Sequence, residues 1–125
     1  MQIRDVVLYG TTDADGDLTI NGHNIAGQLL AIEWIDGDLA DGVDVVITMQ
    51  TRGNAPALTL LSKDNVNSDA WYYPRTQMHD TAGAAVTYDG TRVIYDKLVI
   101  TGSPRMVISN GGNAKTGGCT LYYHY

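Results

Sequence analysis

The last thirty residues constrain this chain most. From Asp96 it runs Asp-Lys-Leu-Val-Ile-Thr, breaks at Gly102-Ser-Pro104, and runs again as Arg-Met-Val-Ile-Ser. It breaks once more over the Gly/Asn-rich residues 110–118 and closes on Cys119-Thr-Leu-Tyr-Tyr-His-Tyr125. Three β-branched or aromatic runs cut by Gly, Pro and Asn predict consecutive antiparallel strands joined by turns. No helical periodicity interrupts them. A final strand running to the last residue predicts a C-terminus tied into a sheet.

The composition agrees. Of 14 acidic residues only Glu33 is Glu; the other 13 are Asp, which caps turns and is a poor helix interior residue. With 14 Gly, this predicts many turns and few helices. A length of 125 residues predicts one domain, 1–125. Phe is absent, so 8 Tyr and 2 Trp carry the aromatic load and should sit with one edge wet. The net charge of −6 is uneven: residues 1–50 hold nine acids against Arg4 alone, while 51–125 hold seven bases against five acids. Phosphate binding needs clustered Lys and Arg, so a nucleic-acid role is not expected. Cys119 has no partner in the chain and is expected to be buried as a small hydrophobe. The N-terminus lacks the features of a signal peptide and no apolar run reaches membrane-span length, so folding in a cytoplasm and no membrane role are expected.

Along the chain, strands are predicted at 3–9, 18–20, 28–35, 43–49, 57–61 and 93–100, followed by the two C-terminal runs, and the irregular stretch 62–92 offers two further candidates near 70–73 and 85–88. Val43, Val45, Ile47 and Met49 alternate with Asp44 and Thr48, the clearest period of two. Arg52-Gly53-Asn54 and Asp89-Gly90 read as turns. Pro74 confines its strand to an edge or a strand end. Eight or nine short strands at this spacing predict an all-β antiparallel sandwich or barrel.

Few residues group in a way that suggests chemistry. Asp13-Ala-Asp15-Gly-Asp17 opens like an EF-hand loop, but that loop needs Gly sixth and Glu twelfth, where Leu18 and Asn24 stand. A solvated turn with at most weak Ca²⁺ binding is expected. His23, His79 and His124 show no metal-ligand spacing. Ser103 and Ser109 lack a nucleophile elbow. Lys115-Thr116 follows Ala114, not the Gly of a phosphate loop. The chain is therefore read as a non-enzyme with no cofactor and no metal. Trp71, Tyr72, Tyr73 and Arg75 concentrate the residue types that dominate protein interfaces, and aromatic platforms also bind sugars. These four are the candidate partner-interface residues.

Four segments carry a resemblance: 27–35 (Gly-Gln-Leu-Leu-Ala-Ile-Glu-Trp-Ile), 39–48 (Leu-Ala-Asp-Gly-Val-Asp-Val-Val-Ile-Thr), 73–85 (Tyr-Pro-Arg-Thr-Gln-Met-His-Asp-Thr-Ala-Gly-Ala-Ala) and 107–117 (Val-Ile-Ser-Asn-Gly-Gly-Asn-Ala-Lys-Thr-Gly). In order, they resemble a family of small proteins encoded among the head genes of tailed bacteriophages and prophages. The ending Tyr122-Tyr-His-Tyr125 departs from that family's more aliphatic one. The resemblance implies a jelly-roll-like β-sandwich that decorates the capsid. It would sit on the virion surface, bind the major capsid protein, self-associate as a dimer or trimer, and bridge capsomers. A carbohydrate- or receptor-binding module of a phage fibre, using Trp71, Tyr72 and Tyr73, is the alternative. A Ca²⁺-dependent module built on Asp13, Asp15 and Asp17 is a third.

Overall fold

The computed structural model describes residues 2–51 and 57–125, so the expected turn at Arg52-Gly53-Asn54 lies outside the described residues. Among these residues every regular element is a strand: β1 Ile3–Thr11, β2 Leu18–Asn21, β3 Ile25–Ile35, β4 Asp44–Gln50, β5 Leu58–Lys63, β6 Ala70–Tyr72, β7 Arg75–Gln77, β8 Tyr95–Lys97, β9 Val99–Ser109 and β10 Thr116–His124. Eight of them form one antiparallel sheet in the order β1-β10-β3-β9-β4-β5, with β2 added to β9 and β6 to β3. The remaining two, β7 and β8, make a separate ribbon. The first and last strands pair without a slip from Ile3↔His124 to Thr11↔Thr116. This ties the C-terminal run into the sheet as its β-rich sequence predicts.

Three departures from the expected strands have local causes. Gly102-Ser-Pro104 does not end a strand; it lies inside β9, which pairs with β3 through Val99–Gly102 and with β4 through Ser103–Ser109. Gly102 adopts φ 114°, and a β-carbon there would run into the Gln50 carbonyl. Glycine thus lets the strand change partners without stopping. Pro104, which has no N–H to give, still accepts through its carbonyl from the Gly22 amide at 2.8 Å. Residues 85–88 form only isolated bridges, His79↔Ala85 and Thr87↔Val93, with turns on either side. The last strand begins three residues earlier than expected because Gly118 lets β10 pass against the Leu8 carbonyl, where a side chain would clash.

Burial follows the strand period, interrupted by two bulges. Val45, Ile47 and Met49 of β4 and the preceding Val43 are fully buried, as their alternation predicts. In β5 the register against β4 slips between Ile47 and Thr48, and the consecutive Leu60 and Leu61 are both buried in consequence. In β3 the register against β10 slips between Tyr122 and Tyr123. Leu29 therefore faces inward at one end and Ile32 and Trp34 at the other, leaving Leu30 half-buried. The inner faces of β1, β10 and β3 (Val6, Leu8, Cys119, Leu121, Ile32, Trp34) belong to one hydrophobic cluster with those of β4 and β9 (Val45, Ile47, Met49, Met106, Ile108). Each fully buried side chain contributes roughly 1.5–3 kcal/mol of transfer free energy. Trp34 fills the centre, and its indole N–H donates to the Val66 carbonyl at 3.0 Å, so no polar atom of that ring is left unmet.

Two tests follow from this packing. Gly102→Ala should lower the unfolding free energy by more than about 2 kcal/mol, read from urea denaturation, because it adds both backbone strain and a clash. Burial pushes the Cys119 thiol from its ordinary 9.0 up to about 12. The folded state thus holds this proton more tightly than the unfolded chain does. The stability it contributes is complete below pH 9.0 and is lost as the pH rises toward about 12. Cys119→Ala should therefore flatten the alkaline fall of stability, and the native thiol should stay unreactive toward thiol reagents at neutral pH.

Candidate functional site

The run Trp71-Tyr72-Tyr73-Pro74-Arg75 does not form one patch. Trp71 pairs with Glu33 across β6 and β3 and faces outward, half-exposed at 50%. Its ring reaches over β3 to stack on Tyr122 of β10, with centroids 5.6 Å apart and planes inclined by 27°. Tyr72, one residue on, turns inward and packs against the core, with the Lys63 ammonium 5.8 Å from its ring centroid. Tyr73 is exposed beyond the end of β6. Arg75 points back into the backbone: its Nη1 donates to the Leu30 carbonyl at 3.2 Å and to that of Pro74 at 2.8 Å.

Three residues absent from the expected cluster, Tyr122, Glu33 and Asp5, complete the outward ledge. Tyr122 donates its hydroxyl to Glu33 Oε1 at 3.2 Å, and Asp5 is the cross-strand partner of Tyr122 on β1. Burial first, then the hydrogen bond and charge of Glu33, then the charge of Asp5 push the Tyr122 phenol above its ordinary value. It therefore remains a donor at neutral pH. Sequence period alone puts Tyr122 on the face opposite Leu121 and Tyr123. Only the pairing of three strands brings it to Trp71 and Glu33.

Pro74 and Arg75 lie at the root of an arm, residues 74–98. Its stem is the β7–β8 ribbon, with Arg75↔Lys97 and Gln77↔Tyr95 paired. Beyond the stem, the Met78 amide donates to Ile94, and Asp80 and Asp89 cap two turns through their Oδ1 atoms. Hydrogen bonds from the Arg92 and Thr91 amides hold the Asp89 carboxyl below its ordinary value. No arm residue from 75 to 97 is buried, and Tyr88 and Tyr95 are 75% and 63% exposed. Tyr73 and Val99, just outside its ends, are exposed as well.

The aspartates have a different task. Loops 12–17, 36–43, 64–69 and 110–115 meet at one end of the sheet and bond to each other: Gly111 N to Gly16 O, Ala40 N to Gly111 O, Asp36 N to Asp69 Oδ1, Asn65 N to Asp44 Oδ1. Asp13 Oδ1 accepts from both Asp15 and Asp17 amides, and Asp38 Oδ1 from the Thr116 amide at 2.6 Å. Burial, then the charges of Asp69 and Asp41, raise the Asp36 carboxyl above its ordinary value. Among the described residues no three His, Cys, Asp or Glu side chains converge as metal ligands. A hollow near the opposite end is lined by Asn24, Ile25, Ala26, Thr51, Thr101 and Gly102, none of them titratable. His23 is exposed in the β2–β3 loop, His79 lies in the arm, and His124 is at the end of β10. The Lys115-Thr116 loop leads into β10 and not into a helix.

No known family model, curated protein or solved structure matches this chain.

Because Asp13 already spends its carboxylate on its own turn, millimolar Ca²⁺ should leave the melting temperature unchanged. Asp13→Ala should cost about 1 kcal/mol through the lost amide acceptors. A Ca²⁺-dependent rise of several degrees, reversed by EDTA, would establish binding to the native state.

Proposed function

We propose that this protein is a non-enzymatic assembly module that decorates a bacteriophage capsid. On this reading its eight-stranded sheet closes as a jelly-roll-like β-sandwich, and its partners are the major capsid protein and further copies of itself. The observation that carries it is the arm. A two-stranded ribbon is marginal in water by itself, and this one has no core while presenting Tyr88, Val93 and Tyr95 to solvent. Such a surface is stabilised when a second protein covers it. The resemblance of segments 27–35, 39–48, 73–85 and 107–117 to phage head-region proteins supports the capsid as that partner. The arm and the Trp71–Tyr122 ledge would make separate, individually weak contacts. One oligomer touching several shell subunits would gain avidity from their sum.

A specific observation keeps a second reading open. The half-exposed Trp71 stacked on Tyr122 beside the Glu33 carboxylate would also suit a carbohydrate-binding module on a phage fibre. Copy number separates the two, since shell decoration requires many copies per particle and a fibre only a few.

The arm supplies the mutational test. Tyr88→Ala combined with Tyr95→Ala should weaken pelleting with capsid shells, or self-association in sedimentation, by more than about 1 kcal/mol with the β-type circular dichroism intact. Arg75→Ala should loosen the arm root and act on binding indirectly, visible as faster proteolysis within residues 76–97. Unchanged binding by the tyrosine variant would remove the arm from the interface.

A further inference from the structure

We infer that the outward ledge formed by Trp71, Tyr122, Glu33 and Asp5 receives a cationic side chain, arginine in preference to lysine, projecting from a protein partner. This rests on the assembly reading above and names the chemistry of the contact.

The register builds the ledge. Asp5, Tyr122 and Ala31 lie in one row across β1, β10 and β3, and Val7, Thr120, Glu33 and Trp71 in another across β1, β10, β3 and β6. The Trp71 ring therefore lies over the sheet and shares a stacked surface with Tyr122, leaving half of its area open. Glu33 uses Oε1 to hold the Tyr122 hydroxyl, and among the described residues no hydrogen bond engages Oε2. Among the described residues the only ion pair is Arg92–Asp89, in the arm, so neither Glu33 nor Asp5 has a cationic partner. The chain's own nearby cations are committed elsewhere. Arg75 holds two carbonyls, Arg4 lies over the Tyr125 ring at 4.5 Å, and Lys63 faces Tyr72.

Two uncompensated carboxylates beside an open aromatic face suit one ligand class. An aromatic face attracts a cation through its quadrupole, and a carboxylate oxygen pairs with guanidinium N–H groups. Arginine supplies both at once, because its planar head stacks while its edge donates; ammonium does only part of this. A neutral sugar would use the ring and draw nothing from the second negative charge. A net charge of −6 steers the same class of partner at longer range.

Trp34 is fully buried and Trp71 half-exposed, so a ligand-induced change in tryptophan emission reports on the ledge. Titration with tetra-arginine should give a saturable change. Tetra-lysine should bind more weakly, and tetra-glutamate and cellohexaose should give none. Glu33→Gln with Asp5→Asn should weaken tetra-arginine binding by about tenfold or more at low salt. Asp13→Asn with Asp15→Asn, at the aspartate-rich end, should leave it within about twofold. Trp71→Leu, checked for its fold by circular dichroism, should remove the site in calorimetry. Equal binding by the Glu33/Asp5 variant, or a response to cellohexaose in place of tetra-arginine, would overturn the inference, the latter in favour of a glycan. Shell pelleting separates the two levels. Shells that bind the ledge variants as well as wild type overturn this inference and leave decoration standing. Failure of wild type to bind shells, with tetra-arginine still held at the ledge, removes decoration and leaves the ledge.

Discussion

The backbone of β3 is what the rest of the fold is arranged around. One edge pairs with β10; the other is divided between β6 at Ile32–Trp34 and β9 at Ile25–Gln28. Buried backbone groups must find partners, and the short gap between β6 and β9 is filled by other means. The Leu29 amide donates to the Leu98 carbonyl at 2.9 Å, and Arg75 caps the carbonyl of Leu30. Because two different strands serve one edge, the chain between them has to leave the sheet and come back. The arm is that excursion. The bulge at Leu30, the arm root and the Trp71–Tyr122 stack are therefore neighbours for one reason.

Continuity of the core depends on glycine at the places where backbones come closest. Gly102 lets β9 serve β3 with one half and β4 with the other, and Gly118 lets β10 lie against β1 beside Leu8. Without these the inner faces of β1 and β10 would not join those of β4 and β9 in one cluster. A chain without Phe compensates with Trp34, Ile, Leu and Met in the centre; of its tyrosines Tyr123 is buried in the core and Tyr72 packs against it, while Tyr9, Tyr73, Tyr88, Tyr95 and Tyr125 are exposed.

Charge is sorted by position in the fold. Asp13, Asp15, Asp17, Asp36, Asp38, Asp41, Asp44, Asp64 and Asp69 lie in or beside the loops at one end, where Asp13, Asp38, Asp44 and Asp69 accept backbone amides. The same economy leaves Glu33 conspicuous: it sits mid-strand and out of the loops, bound to a tyrosine and facing outward. Asp5 shares that placement in β1, so the two carboxylates of the ledge stand apart from the acids of the loops.

The all-β class, the alternation of Val43–Met49, the burial of Cys119 and the turn-capping work of Asp13 were legible in the sequence, because each follows from a local period or a local hydrogen bond. Local rules also misled. Gly102-Ser-Pro104 has the composition of a turn, yet it bends a continuous strand, since what decides is the presence of two partner strands on either side. Trp71, Tyr72, Tyr73 and Arg75 are adjacent in the chain, but strand alternation and the arm root send them to the ledge, the core, the rim and the backbone. Nothing in the spacing of residues 5, 33, 71 and 122 brings them together. Registers across four strands do, and registers are set by the bulges and long-range pairings that only the folded sheet possesses.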